Sequence, residues 1–376
     1  MNKYVKKMAL MIPILKRHYE EDERLRTRGI KYRSCSYIDN FVLQFLGNID
    51  TEKKCIVLCC NPYQNFPRFT LCEKAEETIK GIAKGRAEII AESIRFSLLG
   101  RYAADEGRKF TSGCAECPQF RLNNWVRGDG LIHTIALSMY PSPCQCKCIY
   151  CCVAPRDKIQ QQLNTESRKN YEKLFDVIEW VQKNGMTAKN LAWYLACGEI
   201  TIHPFKSRIF SLIKDQHSVF VTNCFIFDEK VAANLAANKQ SIIEFSVDSG
   251  TPETYQKVKG LNNFDTVIDN VAKYLASGAR PEQICIRYIV LPGINDNQED
   301  YQAIIDIMKK RLKIRSMWIS VDMGNTQREL NIRPAAYLCA MLHKNKISVN
   351  FTELYLREEI EKINVLADEL LKSGEV

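Results

Sequence analysis

Three cysteines, Cys144, Cys148 and Cys151, stand in the run Pro143-Cys144-Gln145-Cys146-Lys147-Cys148-Ile149-Tyr150-Cys151, a C-x3-C-x2-C spacing. Three thiolates on so short a loop can hold three corners of a cubane 4Fe-4S cluster and leave the fourth iron open to a substrate or cofactor. A structural zinc needs a fourth protein ligand to close its tetrahedron, and the neighbouring Cys146 and Cys152 do not form a second C-x2-C knuckle. The spacing points to iron, with zinc as the alternative.

A chain of 376 residues with 46% hydrophobic content can bury a full core and accommodate one barrel-sized domain plus a smaller one. Sixteen cysteines in a chain of this length, clustered at metal-like spacings, fit a reducing compartment better than a disulfide scaffold. Lys3, Lys6 and Lys7 precede the apolar stretch from Met8 to Leu15, which imitates a signal peptide. That stretch contains Pro13 and runs into Lys16-Arg17-His18 without a small-residue cleavage site, so it reads as part of the fold. No run approaches the roughly 18 apolar residues a membrane span needs, and the expected location is the cytoplasm. The formal charge of +9 is spread along the chain, densest between Lys16 and Arg33. It reads as a solvated face, because no basic stripe is interleaved with aromatics.

The turn-rich Arg127-Gly128-Asp129-Gly130 separates a cysteine-rich N-terminal part from a segment of alternating strand and helix patterns. The expected domains are residues 1–127, 128–340 and 341–376. Strands are predicted over Leu131–Tyr140, Leu191–Ala196, Ser218–Asn223, Ile242–Val247, Ile284–Leu291 and Met317–Val321. The spacing of Tyr171, Leu174, Phe175, Ile178 and Val181, stopped by Gly185, predicts the first helix between them. Further helices are predicted over Phe205–Lys214, Glu229–Ala237, Pro252–Ser277 with a break near Gly260, Gln298–Leu312 and Pro334–His343. Thr251-Pro252-Glu253 supplies a cap followed by a proline whose missing N–H costs nothing. Such alternation predicts an α/β fold, a partial (β/α)6 TIM-like barrel preceded by a small cysteine-rich cluster-binding domain, with its chemistry at the C-terminal strand ends. From Asn345 onward, Ile347–Tyr355 alternates like a strand, and Arg357–Lys372 is an amphipathic helix that closes the barrel.

Polar residues gather at those strand ends. Cys197-Gly198-Glu199 ends the second strand, Thr222-Asn223-Cys224 the third and Ser246-Val247-Asp248-Ser249-Gly250 the fourth, while Arg287 lies within the fifth. With the cysteine loop, its aromatic Tyr150 and the later Val258-Lys259-Gly260, these residues make positions 131 to about 325 resemble the radical S-adenosylmethionine (radical SAM) superfamily. The resemblance implies that the open iron chelates the methionine amine and carboxylate of S-adenosylmethionine (SAM), and that an electron from the cluster releases a 5'-deoxyadenosyl radical. It further implies that Glu199 and the Gly198 backbone receive the SAM amine, that Ser246 and Asp248 reach the ribose or methionyl part, and that Tyr150 lies beside the adenine. Arg287 is the candidate for the SAM carboxylate, since a guanidinium makes a two-point contact. Cys197 stands where the family's motif usually has a glycine. The plainer readings are a solvated strand-end carboxylate for Glu199, a helix cap for Asp248, an ordinary ion pair for Arg287 and packing for Tyr150. His203 and the other four histidines show no metal-ligand spacing and read as structural.

The N-terminal part holds Cys35, Cys55, Cys59, Cys60, Cys72, Cys114 and Cys117, with a helical stretch from Arg86 to Leu99 leading toward the last pair. Cys35, Gly47 and the Cys59-Cys60 pair resemble the opening of a SPASM-type auxiliary-cluster domain, although such domains usually follow the barrel and the C-x2-C-x5-C-x3-C run is absent. The resemblance implies a second 4Fe-4S cluster on Cys35, one of Cys59 and Cys60, Cys114 and Cys117, with zinc on the same ligands as the alternative. It also implies an external electron donor of flavodoxin or ferredoxin type and hydrogen-atom abstraction from a peptide, an amino-acid-like carbon or another small molecule. The outcome is dehydrogenation, cross-link formation or epimerisation. Inversion needs a hydrogen donor on the opposite face, for which Cys224 and then Cys339 are the candidates, each otherwise a small buried hydrophobe. An RNA-modifying radical SAM enzyme, motivated by the basic charge, and a non-enzymatic metal-stabilised binding protein are the alternative readings.

Overall fold

The computed structural model describes residues 32–39, 41–49, 54–58, 68–99, 121–123, 130–151, 163–196, 198–322, 330–352 and 355–376. Two compact units form, one from residues 1–141 with 163–194 and the other from 142–162 with 195–376. The boundary expected at residues 127 and 128 lies outside the described residues.

In the first unit the strands are β1 (Tyr32–Ser34), β2 (Val42–Asn48), β3 (Lys54–Val57), β4 (Phe69–Thr70), β5 (Arg121–Asn123), β6 (Ile132–Tyr140) and β7 (Thr187–Leu195). β2 runs parallel to β6 in a register from Val42 opposite Thr134 to Asn48 opposite Tyr140. β3 and β4 extend that edge antiparallel, and β7 lies on the other side of β6. β1 and β5 form a separate antiparallel pair. Helix α1 (Ala75–Leu99) starts eleven residues before the expected Arg86. Its first turns are mostly polar, and only Ile79 and Ile82 there are fully buried apolar residues. Helix α2 (Thr165–Lys183) is capped by Asn164, which accepts from the Ser167 amide, and it buries the predicted stripe of Tyr171, Leu174, Phe175, Ile178 and Val181. The Tyr171 hydroxyl reaches the carbonyls of Met139 and Pro141, both at 3.3 Å, and so fixes the end of β6.

The second unit continues the alternation with β8 (Ser218–Val221), β9 (Ile242–Ser246), β10 (Ile284–Val290), β11 (Ser316–Val321) and β12 (Ser348–Phe351), each parallel to the next. Between and after them come α3 (Lys206–Ile213), α4 (Glu229–Ala237), α5 (Pro252–Lys259), α6 (Phe264–Ala276), α7 (Gln298–Asp306), α8 (Arg333–Lys344) and α9 (Arg357–Ser373). The expected break near Gly260 is a full helix end between α5 and α6. α7 continues as a π-helical turn over Ile307–Leu312 before Lys313 stops it. This is an α/β fold with largely parallel strands, consistent with a partial TIM-like barrel. Among the described residues no helix is long and apolar enough to cross a membrane.

β10 shows how a strand serves both faces: Ile284, Ile286 and Tyr288 are buried, while Cys285 and Arg287 between them remain half-buried. The turn after β9 is pinned to α7, because the Gly250 amide and the Thr251 hydroxyl both donate to Asp300 Oδ1, at 2.8 and 3.0 Å. A Cβ at Gly250 would meet the Asp300 carbonyl at 2.0 Å and the Ile304 nitrogen at 2.7 Å, both backbone atoms that cannot swing aside. Gly250→Ala should therefore destabilise the protein by about 2 kcal/mol, the usual cost of overpacking. Denaturant titration checks this, and an unchanged midpoint would mean that the turn has slack.

Candidate active site

The predicted site residues gather in the second unit around the cysteine loop. Glycines seat that loop on two sides. Gly198 lies at φ +58°, and a Cβ there would meet Ser142 Oγ at 2.6 Å and the Pro143 carbonyl at 2.9 Å, a carbonyl that already receives the Glu199 amide. Gly260 ends α5 at φ +72°, where a Cβ would lie 2.7 Å from Lys147 Cβ. Between these seats the loop bonds to the end of α5, Lys147 N to the Lys259 carbonyl at 2.8 Å and Ile149 N to the Val258 carbonyl at 3.0 Å.

Cys144 and Cys148 are half-buried, Cys151 is exposed, and all three are free thiols. Cys146 is buried between the first two, within hydrogen-bond reach of both sulfurs. Its hydrogen bond is the largest influence lowering Cys148 to about 6, with the Lys259 charge adding to it against the cost of burial. The same hydrogen bond lowers Cys144, and Cys146 itself is pushed up. Cys144 and Cys148 are thus shifted toward the thiolate and Cys146 away from it. Among the described residues no three His, Cys, Asp or Glu side chains are grouped to hold a single metal ion.

Glu199 is fully buried and caps a 3-10 turn over Ile200–Ile202. Its Oε1 accepts from the Thr201 amide (3.0 Å), the Thr201 hydroxyl (2.8 Å) and the Thr222 hydroxyl (2.8 Å), and its Oε2 accepts from the Asn223 amide (2.7 Å). Burial raises its pKa and these bonds oppose the rise. The end of β8 is thereby turned back toward the cysteine loop. Asn223 Nδ2 reaches Gln145 Oε1 at 3.0 Å and Cys144 Sγ at 3.6 Å. Gln145 Nε2 is buried with no partner among the described residues, as is Ser249 Oγ. Two such donors beside the cysteine loop and the end of β9 suit a site completed by an acceptor-bearing group.

Asp248 is also fully buried and pairs with Lys259 at 2.5 Å. Its Oδ2 also accepts from the Tyr150 hydroxyl at 2.5 Å, and Oδ1 from the Ile289 amide at 2.6 Å. Tyr150 packs on Val258, Ile289 and Leu291. Arg287 forms an ion pair with Glu244 on β9 and lies opposite Ser246 in the sheet register. Cys224 is wholly buried at φ +55°, its thiol kept neutral by burial and by the nearby Glu199 charge. Cys339, the other thiol considered, sits in the helix layer, 3.8 Å from Asn364 Oδ1. Lys259, Asn223, Cys146 and Gln145 have no role that their sequence spacing reveals. Lys259 lies inside a recognisable motif, but nothing in one dimension marks its ammonium as buried.

Of the auxiliary-site candidates, Cys35 is buried beside β1, and Cys59, Cys60, Cys114 and Cys117 lie outside the described residues, as does Cys197. His203 is buried, and its Nδ1 accepts from the Phe205 amide at 3.2 Å. Burial pushes its pKa down to about 4 from 6.5. The unfolded chain then binds a proton that the folded chain refuses, so stability present above pH 6.5 is lost as pH falls toward 4. The loss should reach roughly 3 kcal/mol at the lower end. His203→Phe should flatten that part of the pH–stability curve in denaturant titrations, and identical curves for both proteins would remove His203 as the source.

Residues 143–305 match the model of the radical SAM superfamily. No curated protein matches the chain by sequence. Among solved structures, the chain is similar to Streptococcus suis SuiB bound to its precursor peptide SuiA, at 13% identity and a TM-score of 0.44 over 88% of this chain and 78% of that one. SuiB bound to S-adenosylmethionine gives 14% identity and a TM-score of 0.43 over 77% of this chain and 67% of that one. A radical SAM methyltransferase from Sphaerobacter thermophilus gives 11% and 0.40 over 56% and 63%.

Proposed function

We propose that this radical SAM enzyme, with its superfamily domain at residues 143–305, holds a 4Fe-4S cluster on Cys144, Cys148 and Cys151 and abstracts a hydrogen atom from a peptide or amino-acid-like substrate. The observation that carries the reading is the C-x3-C-x2-C loop of free thiols, seated by Gly198 and Gly260 and lying within the residues that match the superfamily model. A cubane held on these three thiolates would leave one iron open to SAM and would supply the electron for cleaving its sulfonium. The chain's own residues bind, orient and exclude water. The Gly198 backbone receives the methionyl amine, with Glu199 fixing its position from behind. Ser246 and Asp248 reach the ribose or methionyl part, Arg287 faces the methionyl carboxylate, and Tyr150 lies on the adenine side. Burial of Glu199, Asp248 and Cys224 keeps this region poor in exchangeable water.

An auxiliary cluster on Cys35, Cys59 or Cys60, Cys114 and Cys117 belongs to this reading, as does an external electron donor of flavodoxin or ferredoxin type. Anaerobic reconstitution should load about eight irons per chain for two cubanes, and dithionite with SAM should then release 5'-deoxyadenosine, as quantified by chromatography. Four irons with one zinc would remove the auxiliary cluster. Absence of deoxyadenosine from fully loaded protein would leave a metal-stabilised scaffold.

Were epimerisation the outcome, Cys224, a wholly buried thiol just beyond β8, would be the hydrogen donor that inversion requires. Cys224→Ala should abolish solvent-deuterium incorporation into product while deoxyadenosine formation continues. Unchanged incorporation would take this thiol out of the mechanism.

A further inference from the structure

The positive charge that lies scattered along the sequence gathers in the fold. β8 to β12 are neighbours and all parallel, so the five loops that lead into them share one edge of the sheet, at the N-terminal strand ends. Those loops carry Lys214, Lys239, Arg280, Lys313, Arg315 and Lys346, all exposed, against two carboxylates, Asp215 and Glu282. Hydrogen bonds tie the loops together. Asn238 Nδ2 donates to the Asp215 carbonyl at 3.0 Å, Arg280 Nη2 to the Lys239 carbonyl at 2.8 Å, and the Ser348 amide to the Arg315 carbonyl at 2.8 Å. The neighbouring Lys310 and Arg311 are paired with Asp306 and Asp269. None of the six rim cations forms an ion pair among the described residues.

Three of the six also sit where lysine is not the natural choice. Lys214 stops α3 at φ +51°, Lys313 stops the π-helical turn after α7 at φ +57°, and Lys346 follows α8 at φ +57°. Glycine takes left-handed angles without the clash that a Cβ brings, and it is the usual residue at a helix stop. A helix dipole favours a cation, but only within the last turn, and Lys239 and Arg315 lie past the stops of their helices. Cations crowded along one edge, with neighbouring strands roughly 5 Å apart, also repel one another, and an anionic partner relieves that repulsion.

We propose that this rim docks an acidic segment of the peptide substrate, an inference that rests on the peptide reading above and deepens it. The four steps from β8 to β12 span about 19 Å, which an extended segment of about six residues covers with every second carboxylate facing the rim. The cysteine loop lies at the opposite strand ends, beside Asn223 and Asp248. β10, seven residues long, separates the two by roughly 23 Å, so a docked peptide needs about seven further extended residues to reach the site. The same separation disfavours the electron donor, which must come close to the cluster. Single-stranded nucleic acid fits less well, since none of these loops contains a Phe, Tyr or Trp on which bases stack.

The test is fluorescence anisotropy of the reconstituted full chain with a labelled oligoglutamate at low ionic strength, beside oligoglutamine and a short polyuridine RNA. Wild-type protein should bind oligoglutamate, lose it as salt rises, and leave oligoglutamine free. Lys214→Gly, Lys313→Gly and Lys346→Gly together keep the backbone angles and remove the charge. They should weaken binding about tenfold at an unmoved thermal midpoint. Lys230→Gln, Arg357→Gln and Lys362→Gln together remove as much charge from the first two turns of α4 and α9, at the other end of the strands, and should leave binding unchanged. Should the glycines unfold the chain, Lys239→Gln with Arg315→Gln decides, with a loss of about fivefold expected. No binding by wild-type protein, an equal loss in both sets, no loss at the rim, or tighter binding of RNA than of oligoglutamate overturns the proposal. Binding is read apart from turnover. Oligoglutamate held by loaded protein that releases no 5'-deoxyadenosine would sink the radical reading and leave the rim an acidic-peptide site, while deoxyadenosine release without binding removes the rim alone.

Discussion

A carboxylate without exposed surface must be matched group for group or it cannot stay in a folded core. Two of them, Glu199 and Asp248, organise the strand ends of the second unit. Glu199 binds the turn after β7 to the end of β8. Asp248 binds the end of β9 to the Ile289 amide on β10, to Lys259 at the end of α5 and to Tyr150 in the cysteine loop. These bonds come from several chain segments at once, so the loop inherits its position from the sheet.

The loop in turn divides its thiols by environment. Cys144, Cys146 and Cys148 alternate along the chain, but only Cys146 is buried. Asn223 adds an amide donor to Cys144, while the Tyr150 hydroxyl gives its proton to Asp248.

The parallel architecture was largely legible in the sequence because it rests on periodicity. The stripe on α2 and the cap at Thr251-Pro252 are local signals, and the structure places them as their spacing implies. The start of α1 was hidden by polar first turns, and β8 ends at Val221 before the expected Asn223 because Thr222 and Asn223 turn to meet Glu199. At the site, the three spaced cysteines and the strand-end polar residues could be read from order alone. The depth of Lys259, the reach of Asn223 and the inward turn of Cys146 could not, since burial depends on which distant segments fold over a residue.

The two oxygens of Glu199 face different, immovable backbone donors, the Thr201 amide on one and the Asn223 amide on the other. A hydroxyl partner can rotate, but a peptide N–H cannot. A carboxamide of the same shape would turn its own NH2 group toward one of those amides, setting donor against donor in a space with no water to intervene. Sterically a glutamine fits here; in the polarity of its hydrogen bonds it does not, so the position admits only a side chain that accepts on both prongs.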